Sequence, residues 1–161
     1  RAVGIAGGAA KCAHVVGDLG FDACVDYKAE GLREAFKAAV PGGVDVVFEN
    51  VGGAVLDLAL SRMNPFGRVA VCGLIAGYGG EEIPIRNVRS LLVNRVRMEG
   101  FIVSDHMDRW PEAIRELAGL LAAGKLRYRE TVADGLERAP RAFLGLLRGE
   151  NLGKQLVKVA G

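Results

Sequence analysis

Short apolar runs alternate with amphipathic segments along nearly the whole chain, and glycines stand at the junctions. Residues 2–6 are apolar or small throughout, as in a strand buried on both faces. Gly7-Gly8 follows as a turn. Residues 9–19 then read as a helix, with Ala13, Val16 and Leu19 on one face and Gly20 placed to close its end. The alternation predicts further strands at 23–27, 44–49, 68–73 and 97–103. It predicts helices at 31–40, 55–63, 87–94 and 106–123. The last is the longest, with Ile114, Leu117, Leu120 and Leu121 as its apolar stripe. Turns fall at 41–43, 50–53 and Pro65-Phe66-Gly67, and 74–84 is a glycine-rich loop. Beyond Gly124 a strand at 128–132, a helix at 136–147 and a strand at 155–159 complete the pattern. Strands alternating with crossover helices imply a doubly wound, parallel α/β sheet covered on both faces.

Composition narrows the function. The chain has 161 residues, one domain's worth, and is 50% hydrophobic with 23 glycines, which excludes disorder. Lys and Arg total 21 against 19 Asp and Glu, a net charge of +2. That argues against a nucleic-acid partner, which calls for a basic excess. No apolar run approaches the roughly 18 residues a bilayer span requires, so no membrane partner is expected. Cys12, Cys24 and Cys72 are widely spaced, without a CxxC pair, and there are only two histidines. These read as reduced, buried thiols of a cytoplasmic protein and not as a metal site. The chain starts at Arg1 and enters an apolar strand at once. Nothing before that strand pairs with it, so the chain reads as part of a longer one.

Doubly wound sheets bind ligands beyond the carboxyl ends of their strands. At Gly7–Lys11 small residues leave room, no acid is visible, and Lys11 adds a cation to the first helical turn. A helix N-terminus also favours phosphate. An NAD binder needs a carboxylate here for the ribose 2′-hydroxyl, so the set points to NADP(H). Tyr27, at the next strand's exit, places a hydroxyl within reach of the same phosphate. Asn50, with Gly52-Gly53 behind it, offers uncharged hydrogen bonding and a close backbone approach. The loop 72–78 is longer than a strand-to-helix link needs and is placed to line a cofactor. A plain turn, half-buried packing and an Asx turn are the non-functional readings of the first three. The GxGxxG fingerprint is absent; Gly4-Ile5-Ala6-Gly7-Gly8 imitates it only in part.

Six stretches together carry a family resemblance: GIAGGAAKC (4–12), VDYK (25–28), GGVDVVFENVGG (42–53), NPFGRVAVCGLIAGY (64–78), RMEGFIV (97–103) and GENLGKQLVKV (149–159). The chain resembles the zinc-independent medium-chain dehydrogenase/reductases. Within them it is similar to the NADP-dependent alkenal double-bond reductases, the leukotriene B4 12-hydroxydehydrogenase/prostaglandin reductase and curcumin reductase group. The resemblance implies a Rossmann-like NADP-binding half whose first strand and glycine-rich turn lie upstream. It implies a coenzyme domain over 1–126 and, over 127–161, a segment returning towards a catalytic domain.

It also implies roles for matching residues. Lys11 and Tyr27 hold the adenosine 2′-phosphate, beside Gly8, where relatives often carry Ser. Asn50 contacts the cofactor. Cys72, Gly73, Leu74, Ile75, Ala76, Gly77 and Tyr78 run along the nicotinamide ribose. Phe101, Ile102 and Val103 lie beside the nicotinamide, and Asn151 near that end. Tyr78 is the candidate for orienting the substrate oxygen, and Val93 falls where some relatives carry a tyrosine. The implied reaction is hydride transfer to the double bond of a small enone or enal, in a homodimer paired through strand 97–103. With the first strand absent, the sheet order 3-2-1-4-5-6 is expected to break beside strand four. A quinone reductase, a methyltransferase and a non-catalytic NADPH-binding module are the rival readings. The methyltransferase requires an acid at the second strand's end that the sequence does not offer there.

Overall fold

The structure is a computed structural model that describes residues 1–159; Ala160 and Gly161, the end of the expected 127–161 segment, lie outside the described residues. Among the described residues seven strands and six α-helices follow one another in the alternation read from the sequence. They are β1 (Val3–Ala6), α1 (Ala9–Gly17), β2 (Ala23–Asp26), α2 (Leu32–Ala39), β3 (Val44–Glu49), α3 (Gly53–Leu60), β4 (Met63–Val71), α4 (Arg89–Val93), β5 (Arg97–Gly100), α5 (Trp110–Ala122), β6 (Glu130–Asp134), α6 (Ala139–Leu147) and β7 (Lys154–Lys158). Every strand pairing is parallel: β1 with β2, β3 with β4 with β5, and β6 with β7.

The expected break is present. No ladder joins β1 to β3, yet both strands pack into one core. Val3 and Ile5 of β1 and Val44 and Val47 of β3 lie against the buried Val25, Phe36, Val40, Leu58 and Ala59. The orders β2-β1 and β3-β4-β5 are the two flanks of a doubly wound sheet on either side of its central position. A second cluster of Leu56, Leu60, Met63 and Val69 ties α3 to β4, with Leu91, Val96 and Met98 around it. Alternation along β3 turns Val47 and Glu49 towards these cores and Val46 and Phe48 away from them. Val46 is 56% and Phe48 65% exposed. The apolar stripe of α5 is open as well, with Ile114, Leu117 and Leu121 all exposed.

Several boundaries shift by one to three residues from expectation, and three differences bear on the fold. First, α3 ends at Leu60, and Met63 opens β4, so Pro65-Phe66-Gly67 lies inside a strand and not in a turn. The ladder slips there: Val44 faces Met63, but Val46 faces Arg68. Pro65 has no N–H for the ladder, and the extra residues bulge. Phe66 takes a positive φ of 63° and donates its N–H to the Asn94 carbonyl, while the Arg95 guanidinium lies 4.6 Å from its ring centre. Second, β5 stops at Gly100, so 101–103 are not strand. Third, α5 starts at Trp110 and not at 106. Pro111 fixes its first turn, and residues 103–109 form a 3₁₀ segment in which His106 is not helical.

Leu60 is fully buried and Leu92 is 80% exposed. In urea unfolding, Leu60→Ala is expected to cost about 2–5 kcal/mol, and Leu92→Ala less than about 0.5 kcal/mol. Equal losses would show that the α3–β4 core is not the one described.

Candidate functional site

Parallel pairing sends the strands of each sheet out on the same edge, and hydrogen bonds hold the exits of β1, β3, β4 and β5. At the β1 exit, Gly8 has φ 99°, a region that favours glycine. A side chain there would meet nothing within 4 Å, so the turn faces open space. Gly7 differs: a Cβ on it would fall 2.9 Å from the Tyr27 ring and hydroxyl. Tyr27, whose N–H donates to the Ala6 carbonyl at 3.0 Å, therefore lies over the Gly7 turn. The Lys11 and Cys12 N–H groups donate to the Gly8 carbonyl at 3.1 and 3.2 Å, which leaves the Ala9 and Ala10 N–H groups ahead of them without an acceptor in the helix. Lys11 stands in that first turn, and its ammonium donates to the Gly149 carbonyl at 2.6 Å. That bond tethers the turn carrying Asn151 to the β1 exit, whereas the resemblance implies a place near the nicotinamide end.

An acid does stand at this exit, contrary to the sequence expectation. Asp26 Oδ1 accepts the Gly8 N–H at 2.8 Å and the Lys28 N–H at 2.9 Å. It is missed because it comes from the neighbouring strand: the parallel register sets Asp26 opposite Ala6. The Gly8 N–H, then that of Lys28, holds its carboxyl below the ordinary value of 3.8, and the Lys28 charge adds to this. With its charge turned onto main-chain donors, the carboxylate fixes the turn beside Lys11.

The β3 and β4 exits form one unit. The Glu49 carboxylate accepts the N–H groups of Val51 and Gly52, and its carbonyl accepts those of Cys72 and Gly73. Gly73 approaches closely: a Cβ on it would lie 3.1 Å from Asn50 Oδ1. Asn50 itself is exposed. Leu74 leads into a 3₁₀ turn over Ile75–Gly77, and Tyr78 beyond it is 71% exposed. At the β5 exit Phe101 donates its N–H to the Val71 carbonyl, and its ring lies 6.3 Å from that of Phe48. Ile102 and Val103 are exposed, and the Val103 carbonyl accepts the Trp110 indole N–H at 3.4 Å.

The structure thus gathers Gly8, Lys11, Tyr27 and the turn carrying Asn151 at one corner. It joins Asn50 to 72–78 at another. It fixes Tyr78 on no partner that would aim its hydroxyl. Asp26 and Glu49 are the residues that sequence reasoning missed. Each is an acid closing a strand just before a glycine-containing or small-residue turn. The thiols also differ from expectation: Cys72 is exposed and Cys12 and Cys24 are only partly covered. Burial, with Cys12 beside it, pushes the Cys24 thiol up to about 12.

A family model described as zinc-binding dehydrogenase matches residues 1–119. The chain is 43% identical over 168 residues to the NADPH-dependent curcumin reductase of Escherichia coli, covering 100% of this chain and 49% of that protein. It is 43% identical over 160 residues to the NADP(+)-dependent 2-alkenal reductase of Nicotiana tabacum, covering 98% and 47%. The crystal structure of CurA from Vibrio vulnificus in complex with NADPH matches with a TM-score of 0.94 at 40% identity, over 100% of this chain and 50% of that one. The chain spans about half the length of the curated relatives it matches. Among the described residues no three His, Cys, Asp or Glu converge where a metal would sit. The described residues thus offer no cluster to hold the zinc that the family description names.

Asp26 offers a pH test. Its folded-state carboxyl is held below its unfolded value, so its contribution is whole above the unfolded value and is lost as pH falls through the folded one. Asp26→Asn is therefore expected to lower the urea midpoint at pH 7. The gap from the parent chain should close below the ordinary carboxylate value. A gap that stays constant down to the acid limit would contradict the assignment.

Proposed function

The chain belongs to the zinc-binding dehydrogenase family, and on that footing we propose that it is the coenzyme-binding part of an NADPH-dependent reductase of small α,β-unsaturated ketones and aldehydes. The observation that carries the reading is the β1 corner, where the open Gly8 turn leads into the first turn of α1 with Lys11, and Tyr27 lies over Gly7. An ammonium has three donors, so the bond to Gly149 leaves two for a 2′-phosphate. The names of the relatives point the same way, as does the NADPH of the structural neighbour.

In this reading Lys11 and Tyr27 hold the 2′-phosphate over Gly8, with the turn carrying Asn151 closing the corner. Asn50 and the main chain of Cys72, Gly73, Leu74, Ile75, Ala76 and Gly77 line the ribose of the nicotinamide half. Phe101, Ile102 and Val103 shield the nicotinamide from water. NADPH, when bound, supplies the hydride for the substrate's double bond. Tyr78 orients the substrate oxygen by hydrogen bonding from its exposed position. Residues 1–126 carry the coenzyme, and the described part of the 127–161 segment packs towards a catalytic half. The free edge of β5 pairs with its copy in a cytoplasmic homodimer, an arrangement that buries an otherwise open strand edge.

Titration by nucleotide fluorescence tests this. NADPH is expected to bind at least about tenfold tighter than NADH, a difference of about 1.4 kcal/mol. Lys11→Ala should remove most of that preference. Equal binding of the two coenzymes, unaffected by Lys11→Ala, would overturn it. A second measurement reads turnover. The chain alone is expected to reduce an enone poorly, and fusion behind the remaining half of the Escherichia coli relative should restore reduction. A fusion that binds NADPH and reduces quinones but not enones would favour the quinone reductase reading.

A further inference from the structure

Glu49 is the only polar or charged residue buried among the described residues, at 3% exposure. A buried carboxylate is costly unless hydrogen bonds and a favourable field offset its desolvation. Here both are present. Oε1 accepts the N–H groups of Val51 at 2.5 Å and Gly52 at 2.8 Å. It sits at the N-terminal end of α3, where the helix dipole favours an anion. The same residue's carbonyl accepts Cys72 N–H at 2.8 Å and Gly73 N–H at 3.2 Å. Two more bonds continue the seam, Ile75 N–H to the Asn50 carbonyl at 3.1 Å and Ala76 N–H to the Val51 carbonyl at 2.9 Å. The packing across it is close. A Cβ on Gly52 would lie 3.0 Å from Leu74 Cδ2 and 3.4 Å from Ile83 Cδ1.

We propose that Glu49 is a positioning residue whose carboxylate locks the 50–53 turn and the 72–78 loop into one rigid wall of the coenzyme cleft. The coenzyme part of this rests on the reading above. The charge matters because N–H bonds to a carboxylate are roughly twice as strong as neutral ones. A glutamine in its place keeps one acceptor but brings two N–H donors to a buried position. If the carboxylate lets go of Val51 and Gly52, the Asn50 and Val51 carbonyls lose their fixed place, and the 72–78 loop loses its anchor with them. Glu49 touches no coenzyme in this account; it acts through Asn50 and the loop.

Hydrogen exchange on the full chain tests the coupling with no ligand present. In Glu49→Gln, exchange at Val51 and Gly52 and also at Ile75 and Ala76 is expected to quicken at least about fivefold. The Val25 amide in β2 should keep its rate. The Kd for NADPH should rise by a comparable factor. Acceleration confined to Val51 and Gly52, or spread evenly over the chain, would overturn the proposal, since either describes a merely structural carboxylate. Should Glu49→Gln not fold, Gly73→Ala reads the same seam from the other side by pressing on Asn50. It should quicken exchange at Val51 and Gly52, and unchanged rates there would count against the proposal. A parent chain that binds no NADPH removes the coenzyme reading alone, because the exchange rates still decide the coupling.

Discussion

Asp26 and Glu49 each end a parallel strand with a carboxylate folded back onto main-chain N–H groups. Parallel sheets send every strand out on the same edge, and the turns there leave donors without ladder partners. Glycine turns solve the geometry of a sharp exit but not the hydrogen bonding. At β2 the carboxylate reaches across to the neighbouring exit and fixes Gly8. At β3 it holds its own turn and, through its carbonyl, the loop that leaves β4. The exits thus become rigid surfaces and not frayed ends, which a cleft for an extended ligand requires.

The rest of the molecule is arranged around a break. The β1–β2 pair and the β3–β4–β5 sheet share a core through α2 and α3 but no ladder. On the opposite side of β3 the apolar Val46 and Phe48 face outwards, and the stripe of α5 is open. The β6–β7 pair carries α6 with Phe143 and Leu144 also exposed. Leu56, Leu60 and Val69 are the most deeply buried large side chains, and all belong to the α3–β4 region.

The alternation of strand and helix was legible from periodicity because the strands are short apolar runs set between amphipathic segments, although β3 leaves Val46 and Phe48 uncovered and is not buried on both faces as the sequence implied. The strand β3 was read to the residue. What escaped was set by contacts distant in sequence. Met63 opens a strand because it lies beside Val44, while the local text through Pro65-Phe66-Gly67 reads as a turn. Asp26 belongs to the β1 exit only through the register with Ala6. The Lys11–Gly149 bond spans 138 positions and no spacing rule reaches it. The stripe of α5 was read correctly as amphipathic, but periodicity does not say what layer, if any, covers it.

Crystals of the chain grown with NADPH would test the central claim most directly. The account requires the coenzyme to lie across the strand exits, its 2′-phosphate within hydrogen-bonding distance of Lys11 Nζ and its nicotinamide half along 72–78. A coenzyme seated elsewhere, or one whose 2′-phosphate faces solvent while Lys11 keeps only the Gly149 carbonyl, would contradict it.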